Sequence, residues 1–281
     1  MPHTARKYRN GPAHNKRVEI TDESGWTHVT STSLATSSRR GRKGFNAIRR
    51  DGGGDGDGDD ELRLRPAEAP PRLSLAELKR QYEAHSNQWK SSLTWERLQR
   101  ALQSQVRAVA KSLENVICIG LGSPSGFVRG GWVDRRSVAL YQLAALVSVL
   151  DLLAQPDIGT HIKNVYAQDP VFNEFDKQLL QSLGITVVEH PTAFNLVNEH
   201  SFLYCPGAER THLEHLLLSA PALVFGGPLE SVVSLDSDSD DDDVVLATFV
   251  RTRRSLQLPQ FEPNIHAFWN MRLYWKEGEV E

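Results

Sequence analysis

Residues 115–231 alternate short apolar runs with amphipathic segments, and this alternation limits the fold more than any other feature of the chain. The apolar runs are rich in Val, Ile and Leu, as strands buried on both faces are. Alternating strands and helices predict an α/β fold: a Rossmann-like, doubly wound, mostly parallel sheet. The predicted strands cover residues 115–120, 164–168, 186–189, 201–204 and 222–225, and the predicted helices cover residues 135–154, 173–183 and 211–219.

A helical segment is predicted to precede this sheet. Between residues 73 and 113 the apolar side chains recur every three or four positions, and Ser74 with Glu77 has the spacing of a capping box. We expect two helices with a break near residues 86–92. Trp89 and Trp95 are then expected to dock this lead-in onto the sheet domain.

Residues 1–71 have the composition of a disordered tail. They contain few large apolar residues and end in a Gly/Asp-rich run at 51–61. A short motif at residues 22–30, which contains Trp26, is predicted to be a binding peptide or an additional strand. The sequence therefore predicts a tail over residues 1–71 and one folded domain over residues 72–281.

The two cysteines indicate a cytoplasmic or nuclear protein, and the basic residues are concentrated near the N-terminus. Residues 1–50 carry eleven Lys or Arg, whereas the whole chain has a net charge of -3. The basic cluster at 39–43 fits an import signal or a phosphate-binding patch, but a solvated tail is the simpler interpretation, so nucleic acid is not an expected partner. Cys118 and Cys205 lie inside separate apolar runs, which argues against disulfides. No apolar stretch approaches the roughly 20 residues of a membrane span, so no membrane association is expected.

The C-terminal part is predicted to contain an acidic loop and further elements of the domain. Residues 234–243 are almost entirely Ser and Asp, and their serines are candidate phosphorylation sites or simply part of a solvated insertion. Residues 244–250 are predicted to resume a strand. A last element over residues 265–275 carries four aromatic side chains that suit the core.

A glycine-rich turn after the first predicted strand is the strongest candidate for a binding site. Small residues there let the backbone approach a ligand, and the backbone N–H groups could hold a phosphate or a carboxylate. The turn lacks the third glycine position of a dinucleotide fingerprint, the Lys of a P-loop and the serine position of a nucleophile elbow. A purely structural turn is the equal alternative. The candidate cofactor-binding residues are Gly120, Gly122, Ser123, Ser125 and Gly126.

Asp169 is the sixth candidate, because it follows the second predicted strand, where a carboxylate binds ribose hydroxyls in nucleotide-binding sheets. The ligand would be an adenosine-containing or other phosphate-bearing small molecule. Capping of the helix that starts near Asn173 is the alternative role. Cys205 with His212 as its base is a conceivable nucleophile, but no catalytic residue can be assigned and no metal site is predicted.

An ordered set of motifs resembles fungal-type members of the Sensitivity to Red Light Reduced-like (SRR-like) domain family. These motifs are VICIGLGSPS at 116–125, YQLAAL at 141–146, QDPVF at 168–172, LGITVV at 183–188 and YCP at 204–206, with GWTHV at 25–29. The resemblance implies a Rossmann-like regulatory protein. Plant members are tied to phytochrome signalling and circadian timing, and fungal and animal members to regulation of haem biosynthesis.

This chain departs from the family pattern at two strand ends. Gly207 and Ala208 follow Pro206 where the family has His-Cys, and Gly226-Gly227-Pro228 replaces Gly-Asn-Ser. The expected function is therefore that of a regulator that binds a small ligand or a protein partner. The alternative is an S-adenosylmethionine- or nucleotide-dependent enzyme, methyltransferase-like, that uses the glycine-rich turn.

Overall fold

The computed structural model describes residues 17–21, 27–31, 66–127, 134–230 and 241–276. It contains two compact units, residues 1–59 and residues 60–281. Among the described residues of the first unit, the strands β1 (Arg17–Thr21) and β2 (Thr27–Ser31) pair antiparallel. β2 overlaps the end of the motif at 22–30, whereas residues 22–26, including Trp26, lie outside the described residues. The rest of the predicted tail up to residue 65, including the basic cluster at 39–43, lies outside the described residues.

The second unit begins with the predicted helical lead-in. Ser74 caps the first helix by accepting a hydrogen bond from the amide of Glu77, and Ser92 caps the second in the same way. Trp89 is fully buried and contacts the rings of Trp95 and Phe268, so the lead-in docks as expected. The elements are α1 (Leu75–Lys90), α2 (Leu93–Ser104) and the short α3 (Arg107–Ala110).

The core of the unit is one seven-stranded sheet with helices on both faces. Its order is β5-β4-β3-β6-β7-β9-β8; the first five are parallel, and β9 runs antiparallel to both β7 and β8. The strands are β3 (Asn115–Ile119), β4 (Asn164–Gln168), β5 (Thr186–Val187), β6 (Ser201–Cys205), β7 (Leu223–Gly226), β8 (Arg254–Gln257) and β9 (Arg272–Trp275). The remaining helices are α4 (Arg136–Leu153), α5 (Glu174–Ser182), α6 (Thr192–Leu196), α7 (Arg210–Leu217) and α8 (Asp241–Arg251).

Alternate side chains of the central strands enter two separate cores. Val116 and Cys118 of β3 face the core shared with α1, α2, α4 and α5, whereas Ile117 and Ile119 face the core shared with α6, α7 and α8. This is the period of two that a strand requires. α4 is long and apolar enough to cross a membrane by composition alone, but most of it is buried, as in the core helix of a globular domain.

The predicted strand over residues 244–250 is wrong, because these residues belong to α8. Their β-branched composition favoured a strand. The spacing of the buried side chains Leu246 and Phe249 is helical, however, and the preceding aspartates suit a helix N-terminus. α8 also takes Asp241 from the end of the predicted acidic loop, whereas the candidate phosphorylation sites Ser234, Ser237 and Ser239 lie outside the described residues.

The first structured contact of the second unit comes before the predicted domain boundary at residue 72. Ala67 is only 4% exposed, and Glu68 forms an isolated β-bridge with Phe127. Residues 66–71 therefore belong with the folded domain rather than with the tail.

Candidate functional site

The glycine-rich turn lies at the point where the strand order reverses. From β3 the chain proceeds to β4 and β5 on one side, then crosses to β6 and β7 on the other side. In doubly wound sheets the ligand crevice opens at the carboxyl ends of the two strands that flank this reversal. Here those strands are β3, which leads into the turn at Gly120, and β6, which leads into the loop at Gly207.

Main chain contacts main chain across this reversal point. A Cβ built on Gly120 would lie 2.6 Å from the amide nitrogen of Ala208 and 2.6 Å from the carbonyl carbon of Gly207. A Cβ built on Gly207 would lie 2.6 Å from the carbonyl oxygen of Gly120. Gly120 also has a φ of +74°, which a residue with a side chain adopts only with strain. The two loops therefore make main-chain contact just beyond the ends of β3 and β6, and they can do so because both positions are glycine.

The amides of the turn donate to side chains of the protein. Gly122 N donates to Asp169 Oδ2 at 2.8 Å, and Asp169 Oδ1 accepts the amide of Val171 at 3.1 Å. Gly126 N donates to Ser123 Oγ at 2.9 Å. These donors are the groups that sequence reasoning offered to a phosphate, and each already has an acceptor.

Asp176 joins the turn to α5, and sequence reasoning missed it. Its buried carboxylate accepts three hydrogen bonds: from Ser123 Oγ at 2.6 Å, from the amide of Ser125 at 2.9 Å and from the amide of Asn173 at 3.0 Å. Asn173 is the N-cap of α5 and accepts the amide of Asp176 in return, so the pair forms a capping box. The Asn-x-x-Asp spacing was the signal that could have revealed this link.

Burial raises the pKa of both carboxyl groups. For Asp169 the hydrogen bonds from Gly122 and Val171 oppose this effect, and the neighbouring Asp176 adds to it. For Asp176 the hydrogen bonds from Ser123, Asn173 and Ser125 oppose it. Two carboxylates against one turn make the site electronegative, so it is poorly suited to an incoming phosphate.

The raised pKa of Asp169 predicts a pH-dependent stability. A group that binds its proton more tightly in the folded state adds stability as the pH falls from its native pKa towards the unfolded value of about 4. We expect the unfolding free energy of the wild type, minus that of Asp169→Asn, to increase as the pH is lowered from 7 to 4.5. Denaturant titrations of both proteins at each pH measure the difference. If this difference stays constant or decreases as the pH is lowered, the pKa of Asp169 is not raised in the folded protein.

The structure gives Asp169 a different role from the predicted helix cap. Asn173 caps α5, whereas Asp169 ties the loop after β4 to Gly122. All six candidate residues thus lie at the carboxyl ends of β3 and β4, but Ser123 and Ser125 are buried in the Asp176 network.

Both thiols are buried, and burial makes them unreactive. Cys205, the conceivable nucleophile, is buried, and burial raises its pKa to about 12. Burial likewise raises the pKa of Cys118. The two side chains face opposite cores of the sheet, so they cannot form a disulfide. A thiol that stays protonated is a poor nucleophile.

Three histidines lie around Phe194, which packs on the face of the sheet that α6, α7 and α8 cover. The ring centroids of His190, His212 and His215 lie 5.2, 5.3 and 6.2 Å from that of Phe194. His190 Nδ1 also lies 3.1 Å from Nε2 of Gln168, the last residue of β4. Within the part of the chain that the structure describes, no group of three or more His, Cys, Asp or Glu is arranged to hold a metal ion.

The fold and the glycine-rich turn at the reversal point define a Rossmann-like α/β domain. A family model described as SRR1 domain matches residues 98–275. The chain therefore belongs to the SRR1 domain family, as the ordered motifs indicated. The match covers all seven strands of the sheet and ends at Trp275, the last residue of β9.

Solved structures with a similar arrangement have low sequence identity. An O-methyltransferase from Bacillus cereus in complex with SAH is 12% identical, with 74% of this chain and 92% of that chain covered and a TM-score of 0.35. Protein 1320 of Thermoplasma acidophilum is 9% identical, with 71% and 98% covered and a TM-score of 0.34. No curated protein matches the sequence significantly. Similarity at this level assigns no activity to the chain.

Proposed function

We propose that the chain is a regulatory protein that acts by binding a protein partner through its SRR1 domain, and that the glycine-rich turn performs no chemistry. One observation carries the proposal: the main chain of Gly207 and Ala208 packs directly on Gly120 at the reversal point. A nucleotide ligand in a doubly wound sheet binds just outside the carboxyl ends of these two strands, where the two loops now contact each other.

The electrostatics of the turn support the same conclusion. A phosphate or a cofactor carboxylate would have to displace Asp169 from Gly122 or Asp176 from Ser125 before it could accept those amides. Displacement would leave a buried carboxylate without its donors, which is costly. The turn therefore has the properties of an internal joint between β3 and α5.

The family resemblance supports the proposed pathways, and two cysteines that form no disulfide support the proposed location. The proposed pathways are light signalling and circadian timing, or regulation of haem biosynthesis, and the proposed location is the cytoplasm, the nucleus or both. The basic residues of the N-terminal 50 positions are compatible with nuclear import.

The alternative function is that of an S-adenosylmethionine- or nucleotide-dependent enzyme. Its specific support is that Asp169 lies at the carboxyl end of β4, where a ribose-binding carboxylate is placed in nucleotide-binding sheets. For that role the Asp169 side chain would have to turn away from Gly122.

Thermal unfolding of the full chain with a panel of small molecules separates the two functions. The panel contains S-adenosylmethionine, NAD, ATP, haem and inorganic phosphate, each at millimolar or solubility-limited concentration. A ligand present at 100 times its Kd adds about 2.7 kcal/mol to the stability of the folded state. We expect no member of the panel to raise the midpoint.

A matched pair of glycine variants controls the experiment. Gly122 and Gly159 have φ values of +74° and +70°, and a Cβ on Gly159 meets no atom within 4 Å. Valine at either position thus introduces similar backbone strain, but only Gly122→Val alters the turn. A midpoint shift that persists in Gly159→Val and disappears in Gly122→Val would place a small-molecule site at the turn, favour the alternative function and contradict the proposal.

A further inference from the structure

The segment just before α1 lies across the glycine-rich turn. Ala67 N donates to the carbonyl oxygen of Val171 at 2.8 Å, and Glu68 and Phe127 exchange two main-chain hydrogen bonds of 2.8 and 2.9 Å. Asn173 Nδ2 donates to the carbonyl oxygen of Ala67 at 3.0 Å. These four hydrogen bonds connect one extended segment to two loops, the turn after β3 and the loop after β4.

Residues 66–68, here called the strap, are positioned by shape as well as by hydrogen bonds. Ala67 is 4% exposed, whereas Pro66 and Glu68 are exposed. A Cβ built on Gly126 would lie 2.9 Å from Ala67 Cβ and 2.8 Å from Asn173 Nδ2. The strap therefore lies on a seat formed by Gly126, Phe127, Val171 and Asn173, and a Cβ at residue 126 would collide with the Ala67 methyl group.

The net free energy that holds the strap in place is small, because stabilising and destabilising contributions nearly cancel. Its main-chain hydrogen bonds each contribute a net stabilisation of the same order as the entropy cost of ordering one residue. The only buried apolar side chain of the strap itself is the methyl group of Ala67. Segments with few buried apolar contacts open locally without unfolding the domain.

Departure of the strap uncovers three main-chain groups and one side-chain amide. The Phe127 amide and the Asn173 side-chain amide lose their acceptors, and the carbonyl oxygens of Phe127 and Val171 lose their donors. Two donors and two acceptors at this spacing match an extended polypeptide, as in recognition by strand addition. They do not match a small anion, because half of the groups are acceptors.

We propose that the strap is a displaceable internal ligand, and that its seat binds an extended peptide segment of a partner protein with a small side chain in the position of Ala67. This inference rests on the proposed function as a partner-binding regulator and gives that partner a chemical class. In the free protein the strap competes with the partner from within the same chain, where its effective concentration is high.

Hydrogen exchange of the wild-type full chain tests whether the strap opens independently. We expect the amide of Phe127, which donates to Glu68, to exchange at least tenfold faster than that of Ile117 in the centre of β3 after correction for intrinsic rates. Equal protection of the two amides would show that the strap leaves only when the domain unfolds, and the proposal would be wrong.

Peptide binding to two full-length variants tests the seat itself. The probe is a fluorescent peptide with the sequence of residues 62–72. Ala67→Asp places a carboxylate in the buried seat and should release the strap, whereas Ala67→Ser should retain it. We expect the Ala67→Asp chain to bind the probe at least tenfold more tightly than the Ala67→Ser chain and the wild type do.

Two outcomes of the peptide experiment would overturn the proposal. One is equal affinity of all three chains; the other is binding that survives when the probe itself carries Asp in place of Ala67. These results are distinguishable from failure of the proposed function, which would appear as a small-molecule response in the thermal panel and would leave the exchange rate of Phe127 unaffected.

Discussion

Replacing Gly120 by alanine is expected to lower the free energy of unfolding by more than about 3 kcal/mol or to prevent folding. About 1–2 kcal/mol of this comes from the left-handed backbone at φ +74°. The larger part comes from the new Cβ, which would lie 2.6 Å from main-chain atoms of Gly207 and Ala208. Main-chain atoms cannot rotate away as a flexible side chain can, so the two loops must separate. Urea titration of the purified variant measures the loss.

Two further variants separate strain from contact. Gly159→Ala has a comparable φ of +70° and open space around its Cβ, so it should cost only about 1–2 kcal/mol. Gly207→Ala has no left-handed φ, but its Cβ would lie 2.6 Å from the Gly120 carbonyl oxygen, so it should cost more than Gly159→Ala. If Gly120→Ala and Gly207→Ala both prove no more costly than Gly159→Ala, the loops are not in contact.

Asp176→Ala is expected to cost about 3–4 kcal/mol of stability. Removal of the carboxylate leaves the Ser123 hydroxyl and the amides of Ser125 and Asn173 without their acceptor inside the protein. Each buried donor left unsatisfied costs about 1–3 kcal/mol, partly offset because a buried charge is removed too. Chemical denaturation monitored by tryptophan fluorescence gives the value.

Glu174→Ala is the matched control on the same helix. Glu174 is exposed in the first turn of α5 and accepts a hydrogen bond only from Gln178 among the described contacts. Its removal should change the stability by no more than about 0.5 kcal/mol. Similar losses from Asp176→Ala and Glu174→Ala would mean that the Asp176 network contributes little.

Local patterns were sufficient to predict the central sheet. Each of its five parallel strands is a short apolar run, and the helices between them show clear apolar periodicity, so their positions agree with the prediction to within one or two residues at nearly every end. The exceptions have physical causes. The short helices α3 and α6 have four and five residues, too few to show a period, and α8 is rich in valine but helical in packing.

The closure of the site could not be predicted from local patterns. Gly120 and Gly207 are far apart in sequence, and their contact depends on the side-by-side pairing of β3 and β6. The sequence placed Gly122 and Asp169 at one edge of the sheet but did not show that they bond to each other rather than to a ligand. The departure from the family pattern at Gly207 now has a structural consequence, since any side chain there would meet Gly120.

The most direct test of the central claim follows the amides of the turn by NMR during a titration. The backbone signals of Gly122, Ser125 and Gly126 in the full chain would be recorded as S-adenosylmethionine and then inorganic phosphate are added to millimolar concentration. Because these amides already donate to Asp169, Asp176 and Ser123, the account predicts that their chemical shifts do not change. Saturable shifts centred on these three amides would show an open ligand site at the turn and would contradict the account.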